Sequence, residues 1–273
     1  MHPKGNIAIS SDGTNIHFDV KGNGDVALVF VHGWCCDRTY WDSQVNYFAS
    51  NHTVVTLDVA GHGASGKGRK KWTVPAFGRD IVAVMDHLKL QAGVLIGHSA
   101  GGQWIVEAAH HRPKGVIGLV GVDTWHNVEQ TFAPIQIAEM LEPFRHNFPE
   151  ATRAHVRKMF LPTSDADLIK RVVDAMSEAP SKIAIDSREE ALRTYCHLPK
   201  ALSRVKAPKY AINSKDFRRT YTSVARRHGI KVVLTSGAGH FIMLEKPAEF
   251  DLLLGEILDT VLATNARKAY AKN

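Results

Sequence analysis

"GVLIGHSAGGQW", residues 93–104, decides how this chain is read. An apolar run ends at Gly97, a single serine follows at Ser99, and glycines stand two positions to either side. Either this is an ordinary glycine-rich turn, or the turn exists to hold Ser99 in an exposed, strained pose. The flanks choose between them. "AGVLIG" (92–97) is a short continuous apolar run of the kind buried on both faces of a parallel sheet, and "GGQWIVEAAHH" carries apolar residues at helical spacing. A serine between such a strand and such a helix fits the G-x-S-x-G elbow. The sharp turn crowds neighbouring side chains, and tiny residues two places away relieve the clash. The hydroxyl is then lifted off the sheet above the free N–H groups of a helix N-terminus.

The same rhythm extends outward. "VALVFVHG" (26–33), "TVVTLDV" (53–59) and "GVIGLVGVD" (115–123) predict buried strands, with helices at "RTYWDSQVNYFAS" and "VPAFGRDIVAVMDHL" between them. Such alternation predicts right-handed crossovers on a mostly parallel α/β sheet. "NIAIS" and "IHFDVKG", joined by "SDGTN", predict an antiparallel hairpin at the sheet edge. From about 126 to 204 only helical segments are predicted, punctuated by prolines at 143, 149, 162, 180 and 199. Strands resume at "KYAINS" (209–214) and "KVVLTS" (231–236), before a last helix over about 247–264. The simplest organisation is a core of residues 1–124 and 206–273 with a helical cap, 125–205, inserted late in the sheet.

Composition bounds the function classes. With 273 residues, 44% hydrophobic and 22% charged, the chain suits a globular protein with a sizeable core. No apolar run is long enough to span a bilayer, and "MHPKGNIAIS" lacks a signal-peptide core. Cys35, Cys36 and Cys196 have no framework spacing and read as reduced thiols, which suits the cytoplasm. No CxxC or His/Cys cluster predicts a metal site. The formal charge of +7 gathers in "KGRKK" (67–71), the "RR" pairs at 218–219 and 226–227, and the tail "ARKAYAKN". Without aromatic interleaving or a nucleic-acid module, these read as solvated loops and helix ends, and no nucleic-acid partner is expected. A small-molecule substrate is the expected partner; the pattern sets no oligomeric state.

A serine hydroxyl needs a base to take its proton and an acid to orient that base. His240, in "SGAGHFIMLEKP", falls in a loop after the last strand, at the carboxyl edge of the sheet. Two aspartates end strands and keep the order serine, acid, histidine. Asp216 lies in "KDFRR", among three cations that would pair with it; Asp123 leaves an apolar strand into "TW", a setting better suited to one imidazole. Asp123 is preferred, with Asp216 as the alternative. The backbone N–H groups of Ala100 and Trp34 are the candidate oxyanion donors. His32, His98, Trp125 and Phe241 are candidates to line a pocket. The two histidines also read as loop-fixing residues; Trp125, Phe132, Met140, Phe144, Phe160 and Met176 read either as lining of an apolar pocket or, as helical spacing more often means, as packing between cap and sheet.

At these residues the chain resembles the α/β-hydrolase superfamily. "HGW" (32–34), "DVAGHGAS" (58–65), "GHSAGG" (97–102) and "GAGHF" (237–241) stand in family order, over about residues 7–262. The resemblance implies an eight-stranded, mostly parallel sheet flanked by helices, with a cap between the sixth and seventh strands. It implies Ser99 and His240 as catalytic pair, Trp34 and Ala100 as oxyanion donors, and no cofactor. Relatives with the acid after the seventh strand usually show glycine three residues before it; here Asn213 stands there. Acid after the sixth strand resembles some haloalkane dehalogenases, which, like epoxide hydrolases, use an aspartate nucleophile. Ser99 argues against both activities, because the alkyl ether it would form cannot be hydrolysed. The leading expectation is a carboxylesterase acting on a small or medium, apolar ester. Lactone, amide or diketone C–C hydrolysis and cofactor-free haloperoxidation share the machinery. A non-catalytic ligand receptor on the same fold would not require nucleophile, base and oxyanion loop together.

Overall fold

Ala27–Val31 (β3) is buried at all five positions, and Gly93–His98 (β5) at all six, as expected of central strands covered on both faces. Around them, a computed structural model describes residues 6–270, the last three as backbone alone. The opening "MHPKG" and the end of the basic tail lie outside the described residues. The remaining strands are Asn6–Ile9 (β1), Asn15–Lys21 (β2), Thr53–Leu57 (β4), Val116–Val122 (β6), Lys209–Ser214 (β7) and Ile230–Thr235 (β8). They form one eight-stranded sheet in the order β1-β2-β4-β3-β5-β6-β7-β8. β1 and β2 form the expected edge hairpin, β2 also runs antiparallel to β4, and every other pair is parallel.

Between β3 and β5 the direction of sheet growth reverses, because β4 lies on the far side of β3. In an open α/β sheet, ligands settle at the carboxyl ends of the strands beside such a reversal. Register aligns three of those ends: Val31 pairs with Gly97, and His98 with Val122. The residues that follow each strand, Trp34, Ser99 and Asp123, therefore emerge side by side.

Helices Asp42–Phe48 (α1), Val74–His87 (α2) and Gly101–His111 (α3) follow β3, β4 and β5 in turn. α2 starts at Thr73, whose hydroxyl accepts from the Ala76 N–H and satisfies one free donor of its first turn. Phe77 and Ile81 of α2 join Trp104 and Ile105 of α3 in the core on one face of the sheet. Trp41, Phe48, Phe250 and Leu254 fill the other face. Asp58 ties the loop after β4 to the segment after β3. It accepts from the Arg38 and Ala64 N–H groups at 2.7 and 2.8 Å and pairs with the Arg38 guanidinium at 2.5 Å.

Between β6 and β7 run only helices: Pro134–His146 (α4), Phe148–Arg157 (α5), Ala166–Ser177 (α6), Ser181–Thr194 (α7) and Leu198–Arg204 (α8). Phe144, Phe148, Val156, Phe160 and Met176 from this insertion share a core with Trp34 and Phe241, so it packs over the carboxyl ends of the strands. Thr222–Arg227 (α9), Ile242–Glu245 (α10) and Pro247–Tyr270 (α11) complete the chain. α11 runs past the end predicted from its apolar spacing. α7 starts at Ser181, directly after Pro180. Pro tends to stand at helix beginnings because it has no N–H to leave unpaired. Among the described residues no helix is long and apolar enough to cross a membrane.

Candidate active site

Ser99 has φ +53°, the left-handed region that a side chain enters only under constraint. Its N–H donates to the Val122 carbonyl at 2.9 Å, which anchors the turn to β6. A Cβ on Gly97 would stand 2.5 Å from the Gly101 carbonyl oxygen, and one on Gly101 would stand 2.6 Å from the carbonyl oxygen of His32. Both glycines are needed for the turn itself, and Gly101 also lets α3 start against the loop after β3. From the other side, a Cβ on Gly33 would be 3.1 Å from the Ser99 Cβ. The "HGW" loop therefore reaches Ser99 only because residue 33 lacks a side chain. The N–H groups of Trp34 and Ala100 take no part in the backbone hydrogen bonds of turns and loops.

His240 is held on every side. Its N–H donates to the Met159 carbonyl of the insertion at 2.7 Å, and its own carbonyl lies 3.0 Å from Nε2 of His98. The rings of His98, Phe217 and Phe241 lie 4.6, 5.0 and 5.3 Å from its ring. Its Nδ1 is 2.5 Å from Oδ2 of Asp123. Asp216 instead accepts from the Gly237 N–H at 2.6 Å and stands exposed at the end of β7.

Asp123 is buried, at φ +45°, and its Oδ1 accepts from the Ser214 N–H at 3.0 Å. Burial alone would raise its pKa. The hydrogen bond with His240 and the nearby His126 imidazole, together with their charge, outweigh that and hold the carboxyl well below the ordinary carboxylate range. Asn213 braces the turn: its Oδ1 accepts from the Thr124 N–H at 3.1 Å, and its Nδ2 donates to the Thr124 carbonyl at 2.9 Å. The Asn213 side chain thus supports the turn that carries the aspartate at the end of β6. Asn213 stood out in the sequence only as a departure from a glycine pattern, and His126, whose Nε2 is 3.5 Å from Asp123 Oδ2, did not stand out at all.

A small cavity, about 260 Å³ including its mouth, joins Ser99 and His240 to Trp34, Cys36, His98, Phe241, Met159, Met176 and Arg188. Two of the four expected pocket residues, His98 and Phe241, line it. His32 and Trp125 do not. His32 is fully buried beneath the loops, with Nδ1 2.8 Å from the Gly33 carbonyl and Nε2 accepting from the Val59 N–H at 3.2 Å. Trp125 packs beside Gly121 of β6, inside the core. Arg188 was visible in the sequence only as one charge among many on a helix.

Three buried histidines and the half-buried His155 bear on stability. Burial lowers His32 to about 4, and His62, His98 and His155 to about 3, from an ordinary 6.5. Below pH 6.5 the unfolded chain takes up protons that the folded one refuses, so their contribution is complete above that pH and is lost as pH falls toward 4. The raised carboxyls of Asp58 and Asp80 act in the opposite sense, at the lower end of the window. We expect the Tm to drop by on the order of 10 °C between pH 7 and about pH 4.5. A Tm that stays flat across that window in a calorimetric pH series would contradict the neutral, buried state of these rings.

The sequence pattern of the alpha/beta hydrolase family matches residues 28–251. Over 95 residues the chain is 37% identical to the non-heme chloroperoxidase of Streptomyces lividans, a stretch covering 34% of each protein. Over 102 residues it is 32% identical to the dihydrolipoyllysine-residue acetyltransferase component of the acetoin cleaving system of Pseudomonas putida, covering 37% of this chain and 28% of that one. The matched stretches thus span about a third of these curated relatives' length. Among solved structures, Est816, described as an N-acyl homoserine lactone degrading enzyme, superposes with TM-score 0.79 at 25% identity, covering 91% of this chain and 99% of its own. The esterase EaEST of Exiguobacterium antarcticum superposes with TM-score 0.82 at 19% identity over 93% and 99%, a likeness of fold.

Proposed function

The chain belongs to the alpha/beta hydrolase family, and from that premise we propose that it is a serine hydrolase of small carboxylic esters, with Ser99 as nucleophile, His240 as base and Asp123 as acid. The observation that carries this reading is the 2.5 Å contact between His240 Nδ1 and Asp123 Oδ2, beside a serine held at φ +53° on the edge of the same cavity. With Nδ1 engaged, Nε2 is the nitrogen left to accept a proton. As Ser99 Oγ attacks the ester carbonyl, His240 takes its proton, and Asp123 steadies the imidazolium without itself becoming protonated. The oxyanion accepts hydrogen bonds from the Trp34 and Ala100 N–H groups, each worth roughly 10²–10³ in turnover. His240 returns the proton to the departing alcohol. Water, deprotonated by the same imidazole, then attacks the acyl-enzyme, releases the acid and restores Ser99.

The cavity lies at the small end of ligand sites, which favours a small ester over a bulky one. A lactone is a cyclic ester and opens by the same steps, in keeping with the activity ascribed to Est816. We divide the chain into a core, 1–124 and 206–273, and a cap, 125–205, whose Met159, Met176 and Arg188 give the cavity its shape. An alkyl fluorophosphonate should label the protein stoichiometrically at Ser99, with the adduct mapped by peptide mass spectrometry. A folded sample that takes up no label would favour the receptor reading.

A further inference from the structure

Arg188 is a cation without a counterion at the edge of the cavity that holds Ser99 and His240. It projects from α7, and its guanidinium carbon lies 4.8 Å from the Trp34 ring centroid and 5.0 Å from that of Phe144. The acids beside it on α7 are engaged elsewhere. Asp186 pairs with Lys182 at 2.7 Å, Glu189 with Arg145 at 2.7 Å, and Glu190 with Arg193 at 2.5 Å. Among the described residues no carboxylate pairs with Arg188, and its Nε is sealed from solvent with no acceptor. Burial lowers its pKa to about 10, so it remains charged at neutral pH. His155, whose ring lies 5.5 Å from that of Phe144, adds no second positive charge, since burial and then the Arg188 charge keep it neutral. Arg218, over the Phe217 ring whose centroid lies 5.0 Å from that of His240, adds further positive charge.

An unpaired buried charge is strongly unfavourable, and an apolar side chain would fill the same space between two aromatic rings at less cost. A guanidinium kept there against two mutually perpendicular rings, with its Nε lacking an acceptor, suits a carboxylate that arrives with the ligand. We propose that Arg188 is a specificity-determining residue and that the substrate is a short ester whose acyl chain ends in a carboxylate, a monoester of a small dicarboxylic acid. This rests on Ser99 being the nucleophile. The acyl group stays bonded to Ser99 through deacylation while the alcohol must leave, so the enclosed side of the cavity suits the acyl arm. Met159 and Met176 meet its apolar middle, and Arg188 its charged end.

The test compares kcat/KM for the monophenyl ester of glutarate with that for phenyl glutaramate, its neutral isostere. The wild-type ratio should exceed ~10, and R188M should lower it at least ~10-fold, with R188K between the two. Because the ratio cancels losses common to both esters, it separates specificity from a general loss of fold. In parallel, calorimetry should detect glutarate binding to the wild type that R188M loses, with butyrate as the uncharged-end control. Equal ratios in the wild type and R188M, with glutarate binding unchanged or absent in both, would overturn the proposal. Ester turnover without anionic preference leaves the serine mechanism standing and removes the Arg188 role. Glutarate binding through Arg188 without any ester turnover does the reverse.

Discussion

Ser99→Ala should lower kcat for a short p-nitrophenyl ester by at least ~10⁴-fold while the protein keeps its fold and its Tm to within a few degrees. The size of the effect follows from what remains. Without Oγ there is no covalent intermediate, and His240 can only deliver water to a carbonyl that the oxyanion donors still polarise. Such residual catalysis exceeds the uncatalysed rate by roughly 10³–10⁴, far below an intact triad. The fold should tolerate the change because Ser99 owes its place to its backbone: its N–H is held by Val122, and the turn is packed against Gly97, Gly101 and Gly33. Alanine pays the same left-handed strain that serine does, so stability should shift by no more than about 1 kcal/mol. Burst kinetics give the sharper reading: the wild type should release one equivalent of nitrophenolate ahead of steady state where deacylation limits, and the variant none. Full esterase activity in the variant would sink the mechanism outright.

Why the turn at Ser99 could be read from sequence while the setting of Arg188 could not is a matter of range. The elbow is a local device, and its strand, small residues and helix lie within a dozen positions, where periodicity and glycine placement are visible. His240 was legible for a related reason, since it follows the last strand at the edge where β3, β5 and β6 also end. Arg188 acquires its meaning from partners scattered through the chain. Trp34, which lies under its guanidinium, is fastened to α7 by an Nε1 hydrogen bond to the Ala184 carbonyl, 150 positions away. No spacing rule reports such a contact. Asn213 looked like a departure from a glycine pattern until its two hydrogen bonds to Thr124 were in view. His32 and Trp125 were expected near substrate because they neighbour catalytic segments. Adjacency in sequence did not survive the alternation of side chains at the strand ends, and both point into the core. The short helices α8, α9 and α10 have seven, six and four residues. That is too few turns for an apolar stripe to declare itself.

The choice between the two aspartates yields the second large effect. Asp123→Asn should reduce kcat by on the order of 10³–10⁴ at neutral pH, and Asp216→Asn by no more than about 3-fold. The geometry predicts how the asparagine fails. The Ser214 N–H donates to Oδ1 of Asp123, so the amide that replaces the carboxylate will keep its oxygen there and turn its NH₂ toward His240. Nδ1 must then accept rather than donate, which moves the ring proton to Nε2. The nitrogen proposed as the base for Ser99 then lacks its lone pair, and the imidazolium loses its counter-charge as well. Asp216 has no such lever. The bond its carboxylate accepts from the Gly237 N–H is met equally by an asparagine carbonyl, and the one its own N–H donates to Ser214 Oγ is untouched. Stability gives an independent check on the same carboxylate. Because the folded Asp123 carboxyl lies below its ordinary range, its contribution is complete above that range and is lost as pH falls through the folded value. Asp123→Asn should therefore be less stable than the wild type at pH 7, and the gap should narrow on acidification below about pH 4. A large loss of turnover in Asp216→Asn with Asp123→Asn unaffected would reverse the assignment. Equal, small losses in both would mean that His240 works without either acid.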